Sequence, residues 1–354
     1  MKQRGVALIV VLLIVAMVTI IATEMAGRLQ LQVRRAANLK DGNQAFWYAL
    51  SAEEFAAISI RRLYEEDDDV IHIKQPWASS ELAFPLQGGG IQAQLEDMQS
   101  CLNLNALLPG NDNQNGNGNN NNGDDNGQGS SNLGSNERAN AGANGVPGNG
   151  IDGLAGAFHR LLRNDEINVP SLSADTLKDS LIDWLDEDSN LTGSFGAEDP
   201  DYESKQFPYL AANGLMTNKT ELRLVKGAAL PWINDLMPFV CAIPNESNFK
   251  LNVNTLTPEK APLLAALTGV SVADATNLIG NIPYDTKEDF LNQSEVASQG
   301  LSDLQKNWFD VTTRYFILHT KASYNNATFA MSTVFKVDES KNVQVVRREF
   351  GGKL

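Results

Sequence analysis

The stretch VALIVVLLIVAMVTIIA, from Val6 to Ala22, decides the architecture of this 354-residue chain. Thr19 is its only polar side chain. At 1.5 Å per residue the run measures roughly 25 Å as a helix, enough to cross a thin hydrocarbon core. Ahead of it stand Met-Lys-Gln-Arg-Gly, residues 1–5. By the positive-inside rule Lys2 and Arg4 keep the amino terminus in the cytoplasm, which predicts a single pass through an inner membrane with everything after residue 23 in the periplasm.

The helical pattern does not stop at the membrane. Leu29, Val33 and Ala36 are spaced by four and three, and Ala45, Ala49, Ala52, Ala56, Ile60 and Leu63 continue at three or four. That is one apolar stripe of an amphipathic helix, with Arg28, Gln32, Arg35, Glu53, Glu54 and Arg61 as its polar cover. No proline precedes Pro76. The pattern predicts one helix from Val6 to about Tyr64, about 90 Å long, half in lipid and half packed on a soluble domain. Such a spine resembles that of pilin-like proteins. The alternative is an anchor helix followed by a separate core helix, broken at Asp41-Gly42-Asn43.

Three readings of the amino terminus compete. A secretory signal peptide needs small residues at its cleavage site, and Glu24, two places before Ala26, fits that poorly. A plain signal anchor is the second. The third is a prepilin leader, cut on the cytoplasmic side after a glycine that directly precedes the apolar run; Gly5 stands there.

The net charge of −15 argues against nucleic acid as a partner, since no basic stripe offsets the repulsion of phosphates. Cys101 and Cys241 are the only cysteines, far apart and without metal-ligand spacing. In an oxidising periplasm they read as one disulfide, the alternative being two buried thiols. His72, His159 and His319 are scattered, and no nucleophile elbow or phosphate-cradling glycine loop is present, so the chain reads as no enzyme.

Two β-regions flank helical material. Val70–Lys74 is a short strand candidate, and Ile91, Ala93 and Leu95 alternate with polar residues after Gly88-Gly89-Gly90. At the other end Tyr315–Tyr324, Thr328–Val337 and Val343–Phe350 predict a three-strand meander, with Phe329, Met331, Thr333, Phe335 and Val337 on one face of a half-buried strand. Between them lies an internal echo. Leu102-Asn103-Leu104-Asn105-Ala106-Leu107 and Leu251-Asn252-Val253-Asn254-Thr255-Leu256 share L-N-φ-N-x-L. Helix-forming sequence follows each, at Ile151–Arg163 and Pro258–Leu267, which suggests two related helical subdomains. The short helices at Ser271–Gly280 and Lys287–Leu291 could form hairpins. Glu259, Asp274, Asp285, Glu288 and Asp289 argue against a DNA role for them. The Asn/Gly-rich tract of 110–150 has almost no apolar residues and is expected to be disordered.

Residues 181–203 read LIDWLDEDSNLTGSFGAEDPDYE. An apolar helix ends near Asp186, and Asp186, Asp188 and Asn190 open like a D-x-D-x-N calcium loop, whose alternate positions aim oxygens at one hard cation. The match then fails, with Leu191 at the position needing glycine and Ala197 at the position needing glutamate. Glu198, Asp199 and Asp201 follow closely, so either a non-EF-hand cation site or a solvated acidic loop is expected.

The D-W-L-D-E-D turn at Asp183–Asp188, the G-A-E-D element at Gly196–Asp199, the E-L-R-L-V-K-G run at Glu221–Gly227, both echoes and the leader together resemble the GspK family of type II secretion minor pseudopilins. The resemblance spans nearly the whole chain except the Asn/Gly tract. It implies an α+β, pilin-like fold: a leader (1–5), a transmembrane spine (6–65), a first part of an antiparallel sheet (66–104), a large inserted all-α, SAM-like domain (105–310) and a second sheet part (311–354). It implies cleavage after Gly5 by prepilin peptidase with N-methylation of Val6, and a disulfide. It further implies one or two Ca2+ ions held by Asp186, Asp188, Glu198, Asp199 and Asp201, with Asn190 and Asp183 as weaker candidates. Implied partners are the minor pseudopilins GspI and GspJ at the filament tip, above the major pseudopilin. Pilins of this kind carry glutamate at the fifth mature position; here that position is Val10, a departure GspK proteins share. Two other classes are a minor pilin of a type IV pilus and a signal-anchored periplasmic calcium-binding protein.

Overall fold

The computed structural model describes residues 6–66, 69–78, 82–108 and 153–351. Residues 1–5, Gly5 among them, and the tract of 110–150 lie outside the described residues. In chain order the helices are α1 (Val6–Glu66), α2 (Leu154–Leu162), α3 (Ser171–Leu185), α4 (Asp199–Glu203), α5 (Leu230–Leu236), α6 (Ala261–Thr268), α7 (Val272–Gly280), α8 (Lys287–Leu291), α9 (Ser294–Ala297) and α10 (Asp303–Lys306). The strands are β1 (Leu82–Leu86), β2 (Gly89–Asp97), β3 (Leu102–Asn103), β4 (Val240–Cys241), β5 (Leu251–Asn252), β6 (Phe309–Asp310), β7 (Tyr315–Tyr324), β8 (Ala327–Val337) and β9 (Val343–Phe350). The chain divides into two compact units. One holds α1 to Arg62 with Trp77–Glu96 and residues from Ile317 onward; the other holds Leu63–Pro76 and Asp97–Phe316.

In the first unit α1 runs for 61 residues without a break. Gly42 costs about 1 kcal/mol of helix propensity, but the helix is tied on either side of it. Asp41 accepts a hydrogen bond from Asn325 (3.1 Å), and Phe46 packs edge-on against Phe329. From Ala45 the predicted stripe is buried: Ala45, Ala49, Ala52, Ala56 and Ile60. Alanine at these positions lets the helix lie close to the five-stranded sheet, ordered β1-β2-β7-β8-β9. The large apolar side chains from Leu8 to Ile21 are instead exposed, as expected of a segment suited to lipid, and Leu29, Leu31, Val33 and Leu39 beyond it are exposed too.

Three sequence expectations need correction here. Val70–Lys74 forms no strand. The Ile71 amide bonds the carbonyl of Val311 and the Ile73 amide that of Asn254, so the segment meets two separate partners and no continuous ladder. The hairpin to β2 comes instead from Leu82–Leu86, with Gly89 and Gly90 already in the ladder opposite Leu86 and Pro85. In β8 not only Met331, Thr333 and Phe335 but also Ser332 and Val334 are buried, so its middle is covered on both faces. Glu53 is not polar cover. It is 1% exposed and receives Thr333 Oγ1 (2.8 Å), Arg348 Nε (2.8 Å) and Arg348 Nη2 (2.7 Å). Sequence periodicity put Glu53 beside Ala52 without showing that a sheet arginine reaches it.

The bidentate pair satisfies both carboxylate oxygens inside the helix–sheet contact, and its hydrogen bond to Glu53 holds the Arg348 pKa above its ordinary value. Arg348→Met should therefore cost about 2–3 kcal/mol, below the usual range for a broken buried pair because the guanidinium is 44% exposed. Arg348→Met with Glu53→Gln should recover part of it. Urea melts of the two variants check this; equal loss in both would rule out an ionic cause.

In the second unit the echo is a true structural repeat. β3 pairs parallel with β4, and β5 pairs parallel with β6. Each copy's first asparagine turns the chain: Asn103 Oδ1 accepts from the Asn105 amide (3.3 Å), Asn252 Oδ1 from the Asn254 amide (3.0 Å). Each second asparagine is buried and clasps a distant backbone. Asn105 accepts from the Met216 amide (2.8 Å) and donates to the carbonyls of Met216 (2.9 Å) and Ile243 (3.0 Å). Asn254 accepts from the Tyr284 amide and donates to its carbonyl, both at 2.8 Å. A buried asparagine so satisfied mimics a strand edge at a single point. The spacing L-N-φ-N thus encodes one asparagine for the turn and one for the clasp.

Candidate metal centre

α3 carries an apolar face of Leu177, Leu181, Trp184 and Leu185 into the helical core and ends at Asp186, whose amide bonds the Ile182 carbonyl (3.0 Å). Beyond it the chain loops back to α4. Asp188 Oδ1 accepts from both nitrogens of Asn190, at 2.8 Å each, a turn that holds Asn190 on Asp188. The loop brings one carboxylate oxygen each of Asp186, Asp188 and Glu198 within 4.8 Å of one another. Glu198 is buried, and both its oxygens lack a hydrogen-bond partner, as does Asp186 Oδ1.

Such an arrangement is unfavourable without a counter-charge. Burial, then the charges of Asp183, Asp186, Asp199 and Asp188, pushes the Glu198 pKa up to about 7. Burial, then Asp188 and Asp183, pushes Asp186 up to about 6. Three oxygen ligands with no sulfur or imidazole among them suit a hard divalent cation, and the orphaned buried oxygens are those it would satisfy. The residues fit such an ion.

The other two expected ligands lie outside this trio. Asp199 Oδ1 accepts from the Ala211 amide (3.0 Å), and Asp201 Oδ1 is paired with Lys226 Nζ (2.8 Å) while Oδ2 accepts from the Glu198 amide (3.4 Å). They shape the start of α4. Asp183 and Asp179 of α3 turn out to support the loop from behind. Asp183 Oδ1 accepts from Thr192 and Oδ2 from Ala197, at 2.8 and 2.7 Å. Asp179 Oδ2 accepts from Phe195 (3.3 Å). The sequence signal for this was the match between Asp179 and Asp183, four apart on a helix, and Gly193 and Gly196 in the loop.

Elsewhere in this unit Cys101 and Cys241 form a disulfide, with Cα atoms 5.9 Å apart and the partners separated by 140 positions in sequence. It sits at the end of the β3–β4 pair, where Asn103 is opposite Cys241.

Comparison with known proteins agrees with this plan. Two segments, 100–245 and 251–312, match family profiles described as "Type II secretion system (T2SS), protein K". Type II secretion system protein K of Aeromonas hydrophila is 32% identical over 360 residues, covering 99% of this chain and 98% of that protein. The chain belongs to the type II secretion system protein K family. The protein K of Dickeya chrysanthemi is 33% identical over 99% of this chain and 98% of its own length. Among solved structures, a chain of the GspK-GspI-GspJ complex from enterotoxigenic Escherichia coli matches with a TM-score of 0.69 at 25% identity, covering 90% of this chain and all of that one. Protein K is a structural component of the secretion system, a minor pseudopilin, and its fold is the long helix, sheet and helical insert seen here. The two matched segments each start beside one copy of the asparagine repeat, at Leu102 and Leu251.

Proposed function

We propose that this protein K crowns the pseudopilus tip as a structural subunit rather than an enzyme. It would stay anchored in the inner membrane until assembly, with its amino terminus cytoplasmic and its folded units periplasmic. The observation that carries this is α1. Among the described residues its large apolar side chains from Leu8 to Leu39 find no cover, so those up to Ile21 suit lipid before assembly and the whole run suits other pilin-like helices after it. The span carries Val10 where a filament-inserting subunit carries the glutamate that neutralises a neighbour's amino terminus. Without that carboxylate, a subunit is suited to the end of the filament, above the major pseudopilin. Partners of the GspI and GspJ type follow from the relative's complex.

Before assembly, prepilin peptidase would cut after Gly5 and methylate Val6. Asp186, Asp188 and Glu198 would hold Ca2+, which supplies the counter-charge that these three facing carboxylates need. In the loop between α3 and α4 Asn190 is held by Asp188, and in α4 Asp201 is paired with Lys226.

Co-expression of the full chain with its own organism's GspI- and GspJ-type subunits, extracted in detergent, should yield one ternary complex. The chain eluting alone would sink the tip reading. Intact mass of the same material should show loss of residues 1–5 and a methyl group on Val6, both dependent on the peptidase.

A further inference from the structure

We propose that Asp183 is the positioning residue of the cation loop. With Asp179 it latches residues 192–197 onto α3 without the ion, and so sets the affinity of the site. The inference rests on the calcium reading above.

Asp183 is fully buried, yet both of its oxygens are taken by backbone amides of the loop, those of Thr192 and Ala197. That separates it from Glu198, whose two buried oxygens are unpartnered. One group holds the loop; the other is left for the ion. The Ala197 bond fixes the residue just before Glu198, and Thr192 closes the loop from the other side. Ser180 Oγ adds a bond to the Phe195 carbonyl (3.1 Å), one turn below Asp183 on the same face of α3.

The loop can come this close only because it lacks side chains at the contact. A Cβ on Gly196 would overlap Asp183 Oδ2, and one on Gly193, where φ is +60°, would lie 2.5 Å from Asp179 Oδ2. The turn at Gly227, with φ +92°, packs its Cα against the α3 backbone, where a Cβ would meet the Leu177 nitrogen at 2.8 Å. Beside it Lys226 Nζ reaches the Gly196 carbonyl (3.5 Å) and Asp201. These contacts fix the path from Thr192 to Asp201 without any of the three candidate ligands. A loop ordered beforehand loses little conformational entropy on binding, so the ion is held more tightly and released more slowly. Removing partners that orient ligands commonly weakens a metal site 10- to 100-fold.

The test uses the full chain in detergent, as wild type, Asp183→Asn, Gly196→Ala and Glu198→Gln. Calcium affinity is read by calorimetry, and amide exchange is read after stripping with EDTA. An asparagine at 183 keeps one acceptor and turns an NH2 toward the other amide, while a methyl on Gly196 pries the loop away with Asp183 intact. Expected are slow exchange at Thr192 and Ala197 in stripped wild type, fast exchange in Asp183→Asn and Gly196→Ala, and about 10- to 100-fold weaker calcium binding in both. Glu198→Gln should lose calcium but keep both amides slow, a split that a merely structural role of Asp183 would not produce. Fast exchange in stripped wild type, or wild-type affinity in Asp183→Asn, would overturn the proposal. If no protein, wild type included, binds calcium, the calcium reading fails and this inference with it; that outcome is told apart by affecting wild type.

Discussion

On the calcium reading, adding EDTA is expected to lower the melting temperature of the second, helical unit by about 8–16 °C. An ion at a thousand times its dissociation constant stabilises the folded state by about 4 kcal/mol, and each kcal/mol moves the midpoint by about 2–4 °C in a unit of this size. The size of the effect follows from what the ion replaces. Without it, Asp186, Asp188 and buried Glu198 face one another with three of their oxygens unpartnered. Asp188→Ala should reproduce most of the loss in the presence of calcium. Glu198→Gln should lose the calcium effect too, yet melt higher than wild type in EDTA because a repelling buried charge is gone. Scanning calorimetry with and without EDTA checks all three. An unchanged wild-type midpoint would reduce the cluster to a solvated acidic loop.

Replacing both Cys101 and Cys241 by serine destabilises the helical unit by about 2–5 kcal/mol. With the partners 140 positions apart in sequence, the bond removes a large share of the unfolded chain's freedom, about 5 kcal/mol in the chain-entropy treatment. The strand ladder at that point is short, only Leu102 opposite Val240 and Asn103 opposite Cys241, with the Asn105 clasp on Met216 and Ile243 beside it. Guanidinium melts of oxidised wild type and of the double variant should differ by that amount, with near-identical helical content in the absence of denaturant. A coincident pair of melts would show that the turn at Asn103 and the clasp of Asn105 hold the segment unaided.

Much of this architecture was legible in the chain. The run from Val6 and the alanine spacing from Ala45 predicted the spine almost to its last residue, because a 3.6-residue period is a local property. β9 was readable from end to end, and β7 likewise, since alternation is also local. Val70–Lys74 looked like a strand on the same grounds. It failed because its amides bond two segments far away in sequence, Val311 and Asn254. Glu53 failed for a related reason: its partners Thr333 and Arg348 lie some 280 and 295 residues away.

The acidic loop shows the division most clearly. The sequence by itself determined that a carboxylate cluster follows the apolar helix α3, and that its spacing departs from an EF-hand at Leu191 and Ala197. It also determined an apolar helix long enough to cross a membrane, its amphipathic continuation and a repeated asparagine pattern, all of which are properties of neighbouring residues. Only the tertiary structure decided which carboxylates converge. Asp186, Asp188 and Glu198 do so. Asp201 is neutralised by Lys226, 25 residues on, and Asp183 is consumed by the loop's own amides. The physical reason is that ligand choice depends on which oxygens the fold leaves unpaired, and pairing is settled by backbone donors and cations that the fold brings from elsewhere in the chain.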